Sequence, residues 1–298
     1  MRRLIPPLAA LLLITVGCAP PRTGTLGPAP AGPSPTSSAA AGPTGTPAPT
    51  PPAPGTPTTP ATTGTPTTAA PTGPDGTLTV QLWFVRSGKL VPTRRTLPAT
   101  VATSRLALTE LAAGPSPAES ATGLTTLVPA GTQVTRIAGG VATLAPPAGF
   151  DAGGATTARL RRAQVVWTLT QFPTVRRVAF APTDTATGRD DYADLLPPIV
   201  VTAPAVGDRV TSPVTVTGTA DVYEATVSVR VLDAAGQEIG TAFTTASCGS
   251  GCRGAYRLSV RYRPAAPGAG TIEVYEVSAR DGSRINVVRI PVELAAGR

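Results

Sequence analysis

The run Thr156-Thr-Ala-Arg-Leu-Arg-Arg-Ala-Gln-Val-Val-Trp-Thr-Leu-Thr-Gln-Phe-Pro-Thr-Val175 holds a helix, its stop and the start of a strand. Leu160, Ala163 and Trp167 share one helical face, and Arg159, Arg161 and Arg162 fall mostly off it. Pro173 lacks an amide hydrogen and ends the helix, so Val175 to Ala181 reads as a strand. Upstream, Thr77-Leu-Thr-Val-Gln-Leu-Trp-Phe-Val85 alternates and then turns continuously apolar, which predicts a central strand. Ser87-Gly88 is a turn, and Lys89 to Leu97 returns as a second strand. Thr103 or Ser104 caps a helix through Ala113, with Leu108, Leu111 and Ala112 on one face, and Gly114-Pro115 stops it. Thr132 to Ile137 and Val141 to Leu144 flank Gly139-Gly140 as a hairpin. The order predicts an α+β domain over 77–187, two helices lying on one sheet.

Residues 196–298 have no helical periodicity. Val214-Thr-Val216, Val227-Ser-Val-Arg-Val231 and Tyr256-Arg-Leu-Ser-Val-Arg-Tyr262 alternate strictly, so one face is apolar and the other carries Arg257, Ser259 and Arg261. Ala235-Gly236 and Asp281-Gly282 mark hairpin turns. About seven short strands in roughly 100 residues predict an all-β sandwich.

These residues also carry two family resemblances. Val128-Pro-Ala-Gly-Thr132, Gly140-Val-Ala-Thr-Leu144 and Gln164 to Val175 resemble the GerMN domain of sporulation and germination proteins and of actinobacterial lipoproteins. Ile199-Val-Val-Thr-Ala-Pro204 and Val216-Thr-Gly-Thr-Ala-Asp-Val-Tyr-Glu-Ala-Thr-Val227 resemble the immunoglobulin-like domain of bacterial spore germination, which commonly follows a GerMN domain. The resemblance implies no enzymatic activity. It implies instead an assembly module of membrane-associated complexes.

The N-terminus reads as an export signal over 1–17: Arg2 and Arg3, an apolar stretch from Leu4 to Val16 too short to span a bilayer, then Gly17-Cys18. It resembles a bacterial lipoprotein signal, although Thr15 stands where that family has leucine. The resemblance implies that Cys18 is acylated and becomes the mature N-terminus. From 18 to 76 the chain is almost only Pro, Thr, Ala, Gly and Ser, with Arg22 and Asp75 its only charges. Such a stretch offers no apolar face and predicts a disordered linker, open to O-glycosylation. As a coil it reaches roughly 40 Å, and as continuous polyproline II about 180 Å.

Three cysteines are an odd number for an exported chain, so acylation of Cys18 leaves Cys248 and Cys252 as a disulfide pair. Closing so short a loop stabilises by only about 2 kcal/mol. Zinc would need more ligands than two cysteines, and a redox pair would normally have two intervening residues rather than three.

The chain has no histidine, which removes histidine-based nucleophilic catalysis and histidine metal ligands. Asp190, Asp191 and Asp194 lack the glycine-punctuated spacing of a calcium loop and read as a solvated linker. Ser87 and Lys89 merely share a strand face. No metal or other cofactor is expected. The 298 residues carry a formal charge of +8, and Lys89 is the only lysine. Between Thr77 and Thr187 eleven cationic residues face four acidic ones, a net charge of +7. The expectation is therefore a non-enzymatic, lipid-anchored protein on the extracytoplasmic face of the cell membrane. Its partner would be an envelope protein or anionic envelope polymer rather than nucleic acid, met by Arg159, Arg161 and Arg162. The alternatives are a regulatory accessory of a membrane sensor or transporter, and an envelope hydrolase.

Overall fold

The computed structural model describes residues 76–182 and 185–295. The signal segment, Cys18 and the linker over 18–75 lie outside the described residues.

Strands β1 (Thr77–Arg86) and β2 (Lys89–Pro98) form an antiparallel hairpin. Ser87 and Gly88, at its two-residue turn, both take positive φ, as the twist of such tight hairpins requires. Helix α1 (Thr103–Ala113) follows and buries Ala107, Leu108 and Leu111; its N-cap is Ala102, without a side-chain cap, rather than Thr103 or Ser104. Helix α2 (Pro117–Ala121) was not anticipated. It is a single turn held by a capping box, in which Ser116 accepts from the Glu119 N–H and Glu119 accepts from the Ser116 N–H. The Glu119 carboxylate also takes Thr93 Oγ1 at 2.5 Å and Arg95 at 2.9 Å. Burial pushes this carboxyl up, but those hydrogen bonds outweigh it and hold it below the usual carboxylate range.

Strands β3 (Gln133–Ala138) and β4 (Val141–Ala145) form the expected hairpin around Gly139-Gly140, both glycines at positive φ. Helix α3 (Gly154–Leu169) then crosses over to β5 (Arg177–Phe180), which pairs parallel with β4. A parallel neighbour needs such a crossover. The two-residue strand β6 (Ala186–Thr187) completes the order β3-β4-β5-β6.

One expectation is corrected here. The domain is not one sheet carrying two helices: the described strands make two sheets, β1-β2 and β3-β4-β5-β6. The reason lies along the outer edge of β1. Gln171 both donates to Gln81 O and accepts from its N–H, each at 2.7 Å. Thr168 Oγ1 accepts from the Trp83 N–H at 3.1 Å, and Gln164 Nε2 donates to Trp83 O at 2.9 Å. Thr125 exchanges both backbone hydrogen bonds with Val85. Gln164 and Thr168 are four residues apart on one face of α3, and Gln171 continues their line in the turn after the helix. Helix α3, the turn that follows it and the segment at Thr125 thus supply the hydrogen bonds that another strand would have made.

The segment Asp190–Leu195 is also corrected. It is a 3₁₀ helix rather than a solvated linker, and Tyr192 within it is buried in the core of the first domain. Asp194 accepts two hydrogen bonds from Arg159, each at 2.7 Å, and Asp191 accepts from the Gly188 N–H.

Among the described residues the second domain has eight strands: β7 (Ile199–Ala203), β8 (Arg209–Val210), β9 (Val214–Ala220), β10 (Thr226–Leu232), β11 (Glu238–Thr245), β12 (Gly254–Val260), β13 (Gly268–Val277) and β14 (Arg284–Leu294). They form sheets of order β11-β10-β13-β14-β8 and β12-β9-β7. Val216, Val229, Val231, Ile272 and Val274 are fully buried in this domain's core. Each such side chain contributes about 1.5–3 kcal/mol of burial. The fold is thus an α+β domain followed by an immunoglobulin-like sandwich.

Strand β7 belongs to both cores. Ile199 and Val201 pack in the sandwich, whereas Val200 between them packs in the core of the first domain. Alternation along a strand sends successive side chains to opposite faces, and here both faces are apolar. Arg94 pairs with Asp208 across the junction at 3.4 Å, and Lys89 Nζ donates to Asp194 O, in the segment between the domains, at 2.8 Å.

Candidate binding site

The three arginines expected to meet a partner do not form one free cationic surface. Arg161 is only 9% exposed and turns inward. It donates to the carbonyls of Leu127, at 2.7 Å, Phe150 and Ala152, so it is a structural cation and leaves the expected contact set. Arg159 is exposed, but its guanidinium is bidentate on Asp194 and lies 5.5 Å from the Tyr192 ring. The hydrogen bonds from Arg159 in turn hold the Asp194 carboxyl below its ordinary range. Arg162 pairs with Asp151 at 2.9 Å.

At the other end of α3, Arg176, Arg177 and Arg189 rim an open hollow of about 670 Å³. Asp190 and Asp191 share that rim and offset its charge. Arg189 lies 4.6 Å over the Trp167 ring and donates to Thr170 Oγ1, so it serves packing.

Cys248 and Cys252 stand side by side in the loop between β11 and β12, with Cα atoms 5.7 Å apart, a spacing that suits the expected disulfide. The loop docks on Tyr223–Ala225: Ser250 N–H donates to Val222 O, and Glu224 N–H donates to Ser250 Oγ. Among the described residues no group of three His, Cys, Asp or Glu side chains gathers as metal ligands would.

A more enclosed cavity of about 240 Å³ lies where the domains meet. Val91, Pro92 and Leu124 wall it from the first domain, and Val201, Val206 and Ile290 from the second. Lys89, Arg289 and Asn286 also reach it. Each of these three is engaged: Lys89 with Asp194 O, Arg289 with Glu273 at 2.8 Å, and Asn286 with Glu276 at 2.7 Å. Arg86, at the end of β1, is half-buried in the same wall. Its side chain makes no hydrogen bond or ion pair among the described residues. Burial lowers its pKa, though an arginine so placed stays charged. Sequence reasoning missed this site because its walls come from four distant segments. The one local signal was the unbroken apolar run Ile199-Val-Val201.

An α+β domain leads directly into an immunoglobulin-like sandwich, and family comparison agrees with that class. Residues 55–181 match the family described as "Sporulation and spore germination", and residues 198–283 match the "Immunoglobulin-like domain of bacterial spore germination". The two matched stretches follow one another along the chain, the first over the α+β domain and the second over the sandwich. Among solved structures it is similar to the first GerMN domain of the sporulation protein GerM from Bacillus subtilis. That likeness has 23% identity and a TM-score of 0.31, over 36% of this chain and 86% of that one. The tandem GerMN domains of the same protein match at 16% identity and a TM-score of 0.34, over 74% of this chain and 61% of that one. CopC from Methylosinus trichosporium OB3b matches at 16% identity and a TM-score of 0.23, over 34% of this chain and 95% of that one. Comparison with curated proteins gave no match.

Proposed function

We propose that this protein is a non-enzymatic, lipid-anchored binding and assembly protein of the cell envelope, acylated at Cys18 and held outside the membrane on its Pro/Thr/Ala-rich linker. The observation that carries the reading is the two-sided burial of β7. It makes the two domains one body with a fixed composite surface, which suits a scaffold contact better than independent modules would. The export features around Arg2, Arg3 and Gly17-Cys18 support the location. The two matched family descriptions name germination and sporulation and no catalysis.

Crosslinking in intact cells, followed by mass spectrometry, tests the role. The expected products join residues 77–295 to extracytoplasmic proteins or wall polymer, and Cys18→Ser reduces their yield several-fold. Crosslinks confined to cytosolic proteins, with equal yield from Cys18→Ser, would refute it.

A further inference from the structure

We propose that the cavity at the domain junction is a binding site for a small anionic amphiphile, whose carboxylate or phosphate head meets Arg86 and whose apolar body lies against Val91, Leu124, Val201 and Val206. The proposal deepens the binding role above and rests on it only for its biological setting.

Three features of the cavity point this way. The first is size. At about 240 Å³ it exceeds the roughly 150 Å³ at which an apolar protein cavity holds a benzene-sized guest. The second is lining. Its walls are mainly aliphatic, with a few polar groups, the composition of small-ligand sites generally. The third is charge. Lys89 and Arg289 are already engaged, while Arg86 has no partner among the described residues. A half-buried guanidinium without a counter-ion is only partly hydrated, and a bidentate anion would complete its hydrogen bonds. Burial lowers the Arg86 pKa for the same reason.

The cavity also has an approach. A more open hollow of about 420 Å³ shares Arg86, Thr122, Val287 and Arg289 with its surroundings. An anion entering there meets Arg86 before the aliphatic walls. Because the walls come from both domains, occupancy would also stiffen the junction through β2, β7 and β14.

The test uses the full chain carrying Cys18→Ser, so that no acyl group of its own competes, in isothermal titration with octanoate, octyl phosphate, 1-octanol and inorganic phosphate. The expected result is saturable one-site binding of octanoate or octyl phosphate, at least tenfold tighter than octanol or inorganic phosphate. The stronger of the two anions identifies the head. Arg86→Met should weaken that anion at least tenfold and leave octanol unchanged. Val206→Trp, which fills the cavity and keeps Arg86, should abolish binding of every probe while both variants retain wild-type melting temperatures. Should Arg86→Met fail to fold, Val206→Trp together with the octanol comparison still decides the matter. No saturable binding by either anion, equal binding of octanol and anion, or undiminished binding by either variant would overturn the proposal. None of these results bears on acylation of Cys18, so this failure is distinct from failure of the anchor.

Discussion

Gln164→Leu should destabilise the protein by about 3 kcal/mol, although it adds apolar bulk to a helix. Gln164 is fully buried. Its Oε1 accepts from the Leu127 N–H at 2.8 Å, and its Nε2 donates to Trp83 O at 2.9 Å. Leucine leaves one donor and one acceptor buried without partners, each costing about 1–3 kcal/mol. For a domain of this size the melting temperature should fall by roughly 10 °C. Gln164→Glu gives a sharper signature. Charged, it cannot donate to Trp83 O; protonated, it can. Burial raises the folded pKa of that carboxyl above its unfolded value. Its favourable contribution is therefore present at low pH and lost as pH rises through the folded pKa. The Glu variant should recover part of its stability on going from pH 7 to pH 4 relative to the Leu variant. Urea denaturation at both pH values measures this. A loss below about 1 kcal/mol for Gln164→Leu would mean that the β1 edge is satisfied without α3.

Gly218→Ala should cost about 3 kcal/mol or more, for a steric reason. Gly218 lies in β9, paired with β7 on one side and β12 on the other, so the backbone has no free edge toward which to move. A Cβ there would collide with Val200 O, and would stand 2.6 Å from the Tyr256 hydroxyl oxygen and 2.8 Å from Tyr256 Cζ. The same hydroxyl donates to Val200 O at 3.2 Å. Accommodating the methyl therefore means breaking a buried hydrogen bond as well as overpacking a core. Because Val200 is the residue that ties β7 to the first domain, the damage should reach the junction and broaden a single unfolding transition. Gly282→Ala is the control. It has positive φ but nothing within 4 Å, so about 1 kcal/mol of conformational cost is expected. Calorimetry showing equal losses for the two variants would contradict the steric account.

These two positions also show what the amino-acid sequence made legible. Strand and helix positions followed from periodicity: β1, β2, α1 and the β3–β4 hairpin stand where Thr77–Val85, Lys89–Leu97, Thr103–Ala113 and Gly139-Gly140 indicated. Helix α2 was missed, yet Ser116-Pro-Ala-Glu119 is a capping-box pattern with proline at the first helical position. Gly218 inside a strand was a similar local sign of close backbone approach. Other features had no local signature. Gln164 and Thr168 share a face of α3 and Gln171 follows in the turn, but polar residues at such positions read as solvent-facing unless the edge of β1 is known to lie beneath them. Arg161 and Arg162 are neighbours of identical chemistry, and only the carbonyls of Leu127, Phe150 and Ala152 draw one of them inward. The junction cavity brings residues near 90 and 124 to residues near 200 and 290. No sequence window spans those separations.

The most direct test of the account is the intact mass of the native protein extracted from cell membranes. The account predicts a polypeptide that begins at Cys18 and carries the added mass of acyl chains, with none of it in the cytosolic fraction. A soluble cytosolic chain of unmodified mass, still beginning with Met1 and its first seventeen residues, would contradict it.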